Sequence, residues 1–223
     1  DEGRWEIVQF QTVTHNGDNS YTLTNLLRGR RGTDWAVGRH KKGDMFVLLD
    51  ADDLSRIRLN SDNLGGDLLL KAAQAGQVVA EAPTTFTEFR ANDLRPYAPA
   101  AFKAERNDNG DIEITWSRRT RFGGQLQDGT GVVPMNEEAE IYDIYLLTDE
   151  YAGLSESLAL VEGQFYRSAQ VTEPRFVYTA AMQASDQNDD TLFLPERLHV
   201  VVFQRSLQAG PGFPGWQTFD IPL

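Results

Sequence analysis

Short stretches in which apolar and polar residues alternate, each closed by a turn-forming cluster, recur along this 223-residue chain. A period of two puts one set of side chains on each face of a strand, a pattern from which a helix builds no apolar stripe. Residues 5–14 alternate in this way. His15-Asn16-Gly17-Asp18-Asn19 then supplies turn chemistry, and Tyr21-Thr22-Leu23-Thr24-Asn25-Leu26 resumes the extended pattern, which predicts a hairpin. Gly29, Gly32, Gly38 and Gly43 punctuate a basic loop before Met45-Phe46-Val47-Leu48-Leu49, a continuous apolar run that predicts a buried strand. Residues 67–73, 77–80 and 84–90 read as further strands, and 52–60 as a short helical turn. These pieces predict an antiparallel β barrel or sandwich over residues 1–93.

Near residue 94 the pattern changes. Asp93-Leu94-Arg95-Pro96-Tyr97-Ala98-Pro99 holds two prolines, each of which restrains itself and its predecessor to extended geometry, so the stretch reads as a linker between modules 1–93 and 94–223. Residues 102–106, a turn at Asn107-Asp108-Asn109-Gly110, and residues 111–116 predict a second hairpin. With 141–147, 175–180, 199–205 and 216–221 they make the strand set of a fibronectin type III-like, immunoglobulin-like sandwich, so the chain as a whole is expected to be all-β. Residues 121–136 and 148–163 exceed what such a core needs and read as elaborated loops. Trp5 and Trp116 lie in strand patterns and are expected in the core. Trp216 is expected to pack, and Trp35 sits in a glycine-rich loop.

With 33 acidic against 21 basic residues, a formal charge of −12 argues against a nucleic-acid or anionic-membrane surface, since both partners need a positive face. Cysteine is absent, which excludes disulfides and thiolate metal sites and leaves the compartment open. Apolar runs such as 198–203 are far too short to cross a bilayer, and nothing at the start reads as a signal peptide. Opening at Asp1 directly into a strand-like stretch, the chain reads as a segment of something longer.

Several phrases carry a family resemblance. Tyr21-Thr22-Leu23-Thr24-Asn25-Leu26-Leu27-Arg28-Gly29-Arg30-Arg31-Gly32-Thr33-Asp34 and Gly43-Asp44-Met45-Phe46-Val47-Leu48-Leu49-Asp50 resemble the C-terminal region of the large tail-tip protein of long-tailed bacteriophages and gene transfer agents. Leu94-Arg95-Pro96-Tyr97-Ala98-Pro99, Ile114-Thr115-Trp116-Ser117-Arg118-Arg119-Thr120-Arg121, Phe176-Val177-Tyr178-Thr179-Ala180-Ala181 and Gly210-Pro211-Gly212-Phe213-Pro214-Gly215 come after them in family order, so the resemblance spans almost the whole chain. It implies a structural tail-tip or baseplate component of a virion or phage-like particle. The implied partners are other baseplate and tail proteins, with a homotrimer in the particle, and a host cell-surface glycan or receptor. Such proteins help open a path for DNA. The family's glycoside-hydrolase-like barrel lies N-terminal to the matched region, so no catalytic residue is carried over, and neither enzyme activity nor a cofactor is expected.

Charge and rings single out the candidate binding residues. Arg28, Arg30 and Arg31, with Arg39, His40, Lys41 and Lys42 after them, form the one dense basic stretch. Guanidinium forks bind phosphate or carboxylate oxygens in pairs, so the stretch could grip such groups on a cell-surface polysaccharide, and a Trp35 ring would stack on a sugar. The alternative is that Arg28 and Arg31 pair with acidic residues such as Asp34 or Asp50 and pin the loop. Strand alternation would set Arg119 and Arg121 opposite Arg118. Asp50-Ala51-Asp52-Asp53 and Asp186-Gln187-Asn188-Asp189-Asp190 offer hard oxygens of the kind calcium takes, but read as solvated turns, and no metal site is expected. His15, His40 and His199 form no zinc spacing. Two other classes remain open. A carbohydrate-binding module requires an exposed aromatic platform near Trp35 or on 121–136; a hydrolase requires paired carboxylates, for which Glu137, Glu138 and Glu140 are candidates, one with a raised pKa.

Overall fold

The computed structural model describes residues 5–38, 40–50, 52, 54, 57–89, 92–123, 133–151, 164–187 and 197–221. Its strands are β1 (Ile7–His15), β2 (Tyr21–Arg30), β3 (Asp67–Lys71), β4 (Thr84–Glu88), β5 (Ala100–Arg106) and β6 (Ile112–Ser117). They continue with β7 (Tyr142–Leu147), β8 (Phe165–Val171) and β9 (Arg175–Tyr178), then helix α1 (Ala180–Gln187), β10 (Leu198–Ser206) and β11 (Gly210–Phe219). The protein is all-β in character, and no barrel closes among the described residues. By compactness it divides into two units, residues 1–40 with 93–223, and residues 41–92.

In the first unit, β1 and β2 form the expected antiparallel ribbon, with Phe10 opposite Leu26 and His15 opposite Tyr21. Its turn closes through the Asn16 amide on the Ser20 carbonyl at 3.0 Å. Gly17 and Asn19 there adopt φ of 89° and 62°, values that only glycine and asparagine reach cheaply. Trp5 does not enter a core. It precedes the ribbon and is 54% exposed, because a two-stranded ribbon has no second layer to cover it.

The sandwich lies in the same unit. One sheet runs β5-β6-β9 and the other β11-β10-β7-β8, all neighbours antiparallel. On β6 the alternation is strict, with Ile112, Ile114 and Trp116 buried while Glu113 and Thr115 are less so. These side chains meet Tyr142, Ile144 and Leu146 of β7 and Leu198, Val200 and Val202 of β10 in one core. Trp116 stands edge-on to Tyr142 at 5.3 Å between ring centroids, a favoured aromatic geometry. β10 is covered on both faces, for Val201 and Phe203 pack with Leu147 in a second cluster, which explains its unbroken apolar run.

The structure adds three local features to the sandwich. The proline-bearing stretch, read as a linker, packs against β11. Arg95 donates to the carbonyls of Pro211 (3.1 Å) and Gly212 (2.8 Å) and lies 4.6 Å over the Phe213 ring, while the Phe213 amide donates to the Pro96 carbonyl at 2.9 Å. Proline gives up its amide but keeps its carbonyl, so the stretch lies along β11 as an acceptor. β8 was not anticipated. Nor was α1, which begins where residues 175–180 read as strand. The Thr179 hydroxyl accepts the Met182 amide at 3.2 Å, an N-terminal cap that turns the chain out of β9.

The second unit holds the β3–β4 ribbon, with Leu69 opposite Phe86. Of its described residues only Ala82 is buried. The run Met45-Phe46-Val47-Leu48-Leu49 forms no strand and is exposed, Met45 at 76%, since no neighbouring strand pairs with it. Residues 77–80 make no strand either; Val79–Glu81 is a single helical turn. No helix forms at the described positions within 52–60.

A methyl group added at Gly215 would run into the Pro99 carbonyl oxygen and the Phe102 ring. Gly215→Ala is therefore expected to cost about 1–3 kcal/mol by overpacking. Ile114→Ala, which empties part of the inter-sheet core, is expected to cost about 2–5 kcal/mol. Urea unfolding of the purified variants measures both.

Candidate functional site

The basic stretch begins at the end of β2, and the hairpin register decides what its arginines meet. Ile7 lies opposite Arg30, with a register shift between Ile7 and Gln9, so Glu6 is brought alongside Arg28 and Gly29. Only 1% of the Glu6 side chain is exposed. Its carboxylate accepts Arg28 Nε at 2.6 Å and Arg28 Nη2 at 2.5 Å, a bidentate pair, together with the Gly29 amide at 2.8 Å. His40 Nε2 lies 2.9 Å from Glu6 Oε2. Burial pushes the Glu6 carboxyl up, but the hydrogen bonds of Arg28 and Gly29, the Arg28 charge and the His40 contact outweigh it and hold the group below its ordinary value.

Arg28 is thus held by Glu6, a residue that sequence reasoning did not pair with it. Asp34, expected to receive Arg28 or Arg31, instead receives Arg119 at 3.1 Å, and the Arg119 guanidinium lies 5.4 Å over the Tyr97 ring. Gly29 must approach Asp34 closely, since a Cβ there would fall 2.8 Å from Asp34 Oδ1. The Thr33 hydroxyl accepts the Ile7 amide (3.0 Å) and donates to the Arg30 carbonyl (2.8 Å), tying the loop to the start of β1. Gly32 rests against Phe213, and Arg31 takes a left-handed φ of 58°. Arg30 and Arg31 themselves are exposed. Trp35 lies in the single helical turn Asp34–Ala36, and its side chain, like Arg39, is outside the described residues.

The second arginine group is equally dispersed. β6 ends at Ser117, so strand alternation does not govern Arg118, Arg119 and Arg121. Arg118 donates to the Val133 carbonyl and to Glu140, both at 2.7 Å, while Arg121 makes a bidentate pair with Glu137 at 3.0 and 2.9 Å. Glu138 accepts the Ser206 hydroxyl and the Leu207 amide, each at 3.1 Å. Its own amide leads the hydrogen bonds that hold its carboxyl below the usual range, against the raising effect of burial. Glu137 and Glu140 thus hold Arg121 and Arg118 of the segment after β6, while Glu138 holds the end of β10.

The acidic loops are also engaged. Asp50 accepts the Asp52 amide at 3.1 Å in a turn; Ala51 and Asp53 are outside the described residues. Asp186 accepts Arg167 at 2.8 and 2.6 Å and the Tyr178 hydroxyl at 2.8 Å, binding α1 to the sheets, while 188–190 fall outside the described residues. No three His, Cys, Asp or Glu side chains gather as a metal site among the described residues. His199, expected in a sheet, lies in β10 with Nδ1 2.9 Å from the Thr218 hydroxyl oxygen, and burial lowers its pKa against the pull of Glu150 and Asp149. Trp216, 38% exposed, stands edge-on to Tyr151 at 5.0 Å.

The Rcc01698-like, C-terminal family model matches residues 1–47, the ribbon and the basic loop after it. No curated protein matches the chain. Among solved structures, the chain is similar to the rat CD45 extracellular region, domains d3-d4, at 11% identity and a TM-score of 0.33, with 98% of each chain covered. It is also similar to the Clostridium perfringens spore cortex lytic enzyme SleM at 9% identity and a TM-score of 0.31, covering 69% of this chain and 38% of that one. Likeness at this level carries no argument about function.

Glu6→Gln keeps the shape but removes the charge that Arg28 and the Gly29 amide meet, and is expected to cost about 1–3 kcal/mol at neutral pH. Because the folded-state pKa of Glu6 is depressed below 4.5, its contribution is complete above that value and is lost as pH falls through the folded pKa. In urea unfolding repeated at successively lower pH and monitored by circular dichroism, the stability gap between wild type and Glu6→Gln should narrow on acidification below 4.5. A gap that stays constant down to the acid limit of folding would show that the Glu6 charge is not its source.

Proposed function

We propose that this chain is a structural, non-enzymatic component of a phage-type tail tip or baseplate that contributes to host-surface attachment and DNA delivery. The observation that carries the reading is the match of residues 1–47 to the Rcc01698-like C-terminal family model. That match covers residues 21–34 and the first five residues of 43–50, two of the stretches on which the tail-tip resemblance rests. The engagement of Arg28, Arg118, Arg119 and Arg121 with carboxylates inside the chain supports an architectural role for these four arginines. Arg30 and Arg31, exposed on a loop anchored by Glu6 and Thr33, are the residues we assign to contact with anionic groups of a host surface, with Trp35 in the adjoining turn.

A carbohydrate-binding module is the second reading, favoured by the half-exposed Tyr151–Trp216 pair at the edge of the sandwich.

Antibodies against the chain should decorate the distal ends of tails on the phage-type particles that carry it, as seen by electron microscopy. Unlabelled tail ends overturn the assignment. In a cell-binding assay, Arg30→Ala/Arg31→Ala should weaken attachment of the folded chain roughly tenfold. If Trp216→Ala alone abolishes binding to extracted polysaccharide, the carbohydrate-binding reading replaces it.

A further inference from the structure

The four lysines of the chain divide between strands and one open loop. Lys71 lies in β3 opposite Thr84 and donates to the Ala80 carbonyl at 2.9 Å, and Lys103 lies in β5 opposite Thr115. Lys41 and Lys42 stand side by side in the loop, both exposed. The Asp44 amide donates to the Lys41 carbonyl at 3.1 Å and the Lys41 amide to Asp44 Oδ2 at 2.8 Å, a turn with Lys42 and Gly43 at its two central positions. Gly43 takes a left-handed φ of 97°, and a Cβ built on it would meet nothing within 4 Å, so the Lys42–Gly43 bond stands in open space. Residues 45–50 after it belong to no strand or helix and are all exposed.

We propose that the Lys42–Gly43 bond is a processing site for a lysine-selective protease with an acidic primary pocket, and that the nicked chain stays together. Water adds to the Lys42 carbonyl carbon, the bond to the Gly43 nitrogen breaks, and the products are a Lys42 carboxylate and a Gly43 ammonium. Exposed loop tips with small residues are where chains are nicked, because the backbone there can be drawn out into an enzyme's cleft. The turn must open for this, the two hydrogen bonds between Lys41 and Asp44 included, whereas residues 45–50 have no strand ladder to leave. Cleavage after Lys71 or Lys103 instead requires a strand to part from its sheet, a larger and rarer opening. The paired ammonium groups match a pocket floored by a carboxylate, and glycine on the leaving side sets no side chain beside the attacked carbonyl.

Contacts behind the bond hold the shorter fragment in place. His40 Nε2, two residues ahead of Lys42, lies 2.9 Å from Glu6 Oε2. Asp34 receives Arg119 at 3.1 Å, Ala36 is fully buried, and Gly32 sits so near Phe213 that a Cβ on it would fall 2.6 Å from the ring. Asp34 and Gly32 thus tie the fragment to residues 93–223 without the peptide chain of 41–92. Cleavage leaves the second unit covalently joined to the larger one only at residue 93. It also converts the apolar residues 45–49, each at least half exposed, from a loop fixed at both ends into an arm on a free amino terminus. The inference stands independently of the tail-tip reading.

Limited digestion of the folded full chain with a lysine-selective endoprotease, read by intact-mass measurement, tests the assignment. The first products should be residues 1–42 and 43–223, formed about tenfold or more faster than any cut after Lys71 or Lys103. The two pieces should co-elute in native gel filtration and separate only in denaturant. Lys41→Gln/Lys42→Gln should resist this first cut while its far-ultraviolet circular dichroism spectrum stays that of the wild type. Amino-terminal analysis of the chain recovered from the cells that make it should find Gly43 at a terminus. A first cut after any other lysine, pieces that part under native conditions, or a recovered chain in which Gly43 is never terminal would each overturn the proposal.

Discussion

Burial of alternate side chains between two antiparallel sheets is the constraint on which the larger unit depends. β6 contributes Ile112, Ile114 and Trp116, and β7 and β10 contribute Tyr142, Ile144, Leu146, Leu198, Val200 and Val202 to the same core. Several segments around this core are tied to it by polar contacts that the sheets position. Arg95 and Pro96 close against β11, Arg121 and Glu137 brace the segment after β6, and Arg167 with Asp186 fastens α1. These ion pairs gain their strength from partial burial and from geometry held by the strands, not from charge alone.

Where a structural signal was local, it was legible. The β1–β2 hairpin, the second hairpin with buried Trp116, and the apolar β10 arise from period and turn chemistry that each segment carries within itself. Where the outcome depended on a distant partner, the sequence was silent. Met45-Phe46-Val47-Leu48-Leu49 has a core strand's composition, but no strand among the described residues pairs with it, and composition alone does not supply one. Trp5 stays outside a core for the same reason. The two prolines read as a linker because their restriction of φ is visible in the sequence, whereas the acceptor role of Pro96 toward Phe213 is set 117 residues away.

The candidate site shows the same division. That Arg28, Arg30 and Arg31 form a cluster is plain from the chain, and that a carboxylate would hold part of it was open as an alternative. Which carboxylate does so is a matter of hairpin register. A one-residue shift of β1 against β2 would carry Glu6 to the other face and leave Arg28 without it. A clue to α1 was present in Thr179, a capping residue with two alanines after it, but the apolar Phe176-Val177-Tyr178 ahead of it spoke for strand alone.

The larger unit is discontinuous in sequence, residues 1–40 and 93–223, and its joins are long. Asp34 waits for Arg119, and Gly32 for the ring of Phe213 in the last strand. A chain emerging from the ribosome therefore completes its first hairpin long before the groups that anchor its basic loop exist. Contacts of such high sequence separation make folding slow, since loop closure must be accomplished before they return any stabilisation. During that interval the exposed ribbons and apolar run of 41–92 are present in a nascent protein whose sandwich has not closed, the condition under which molecular chaperones are recruited.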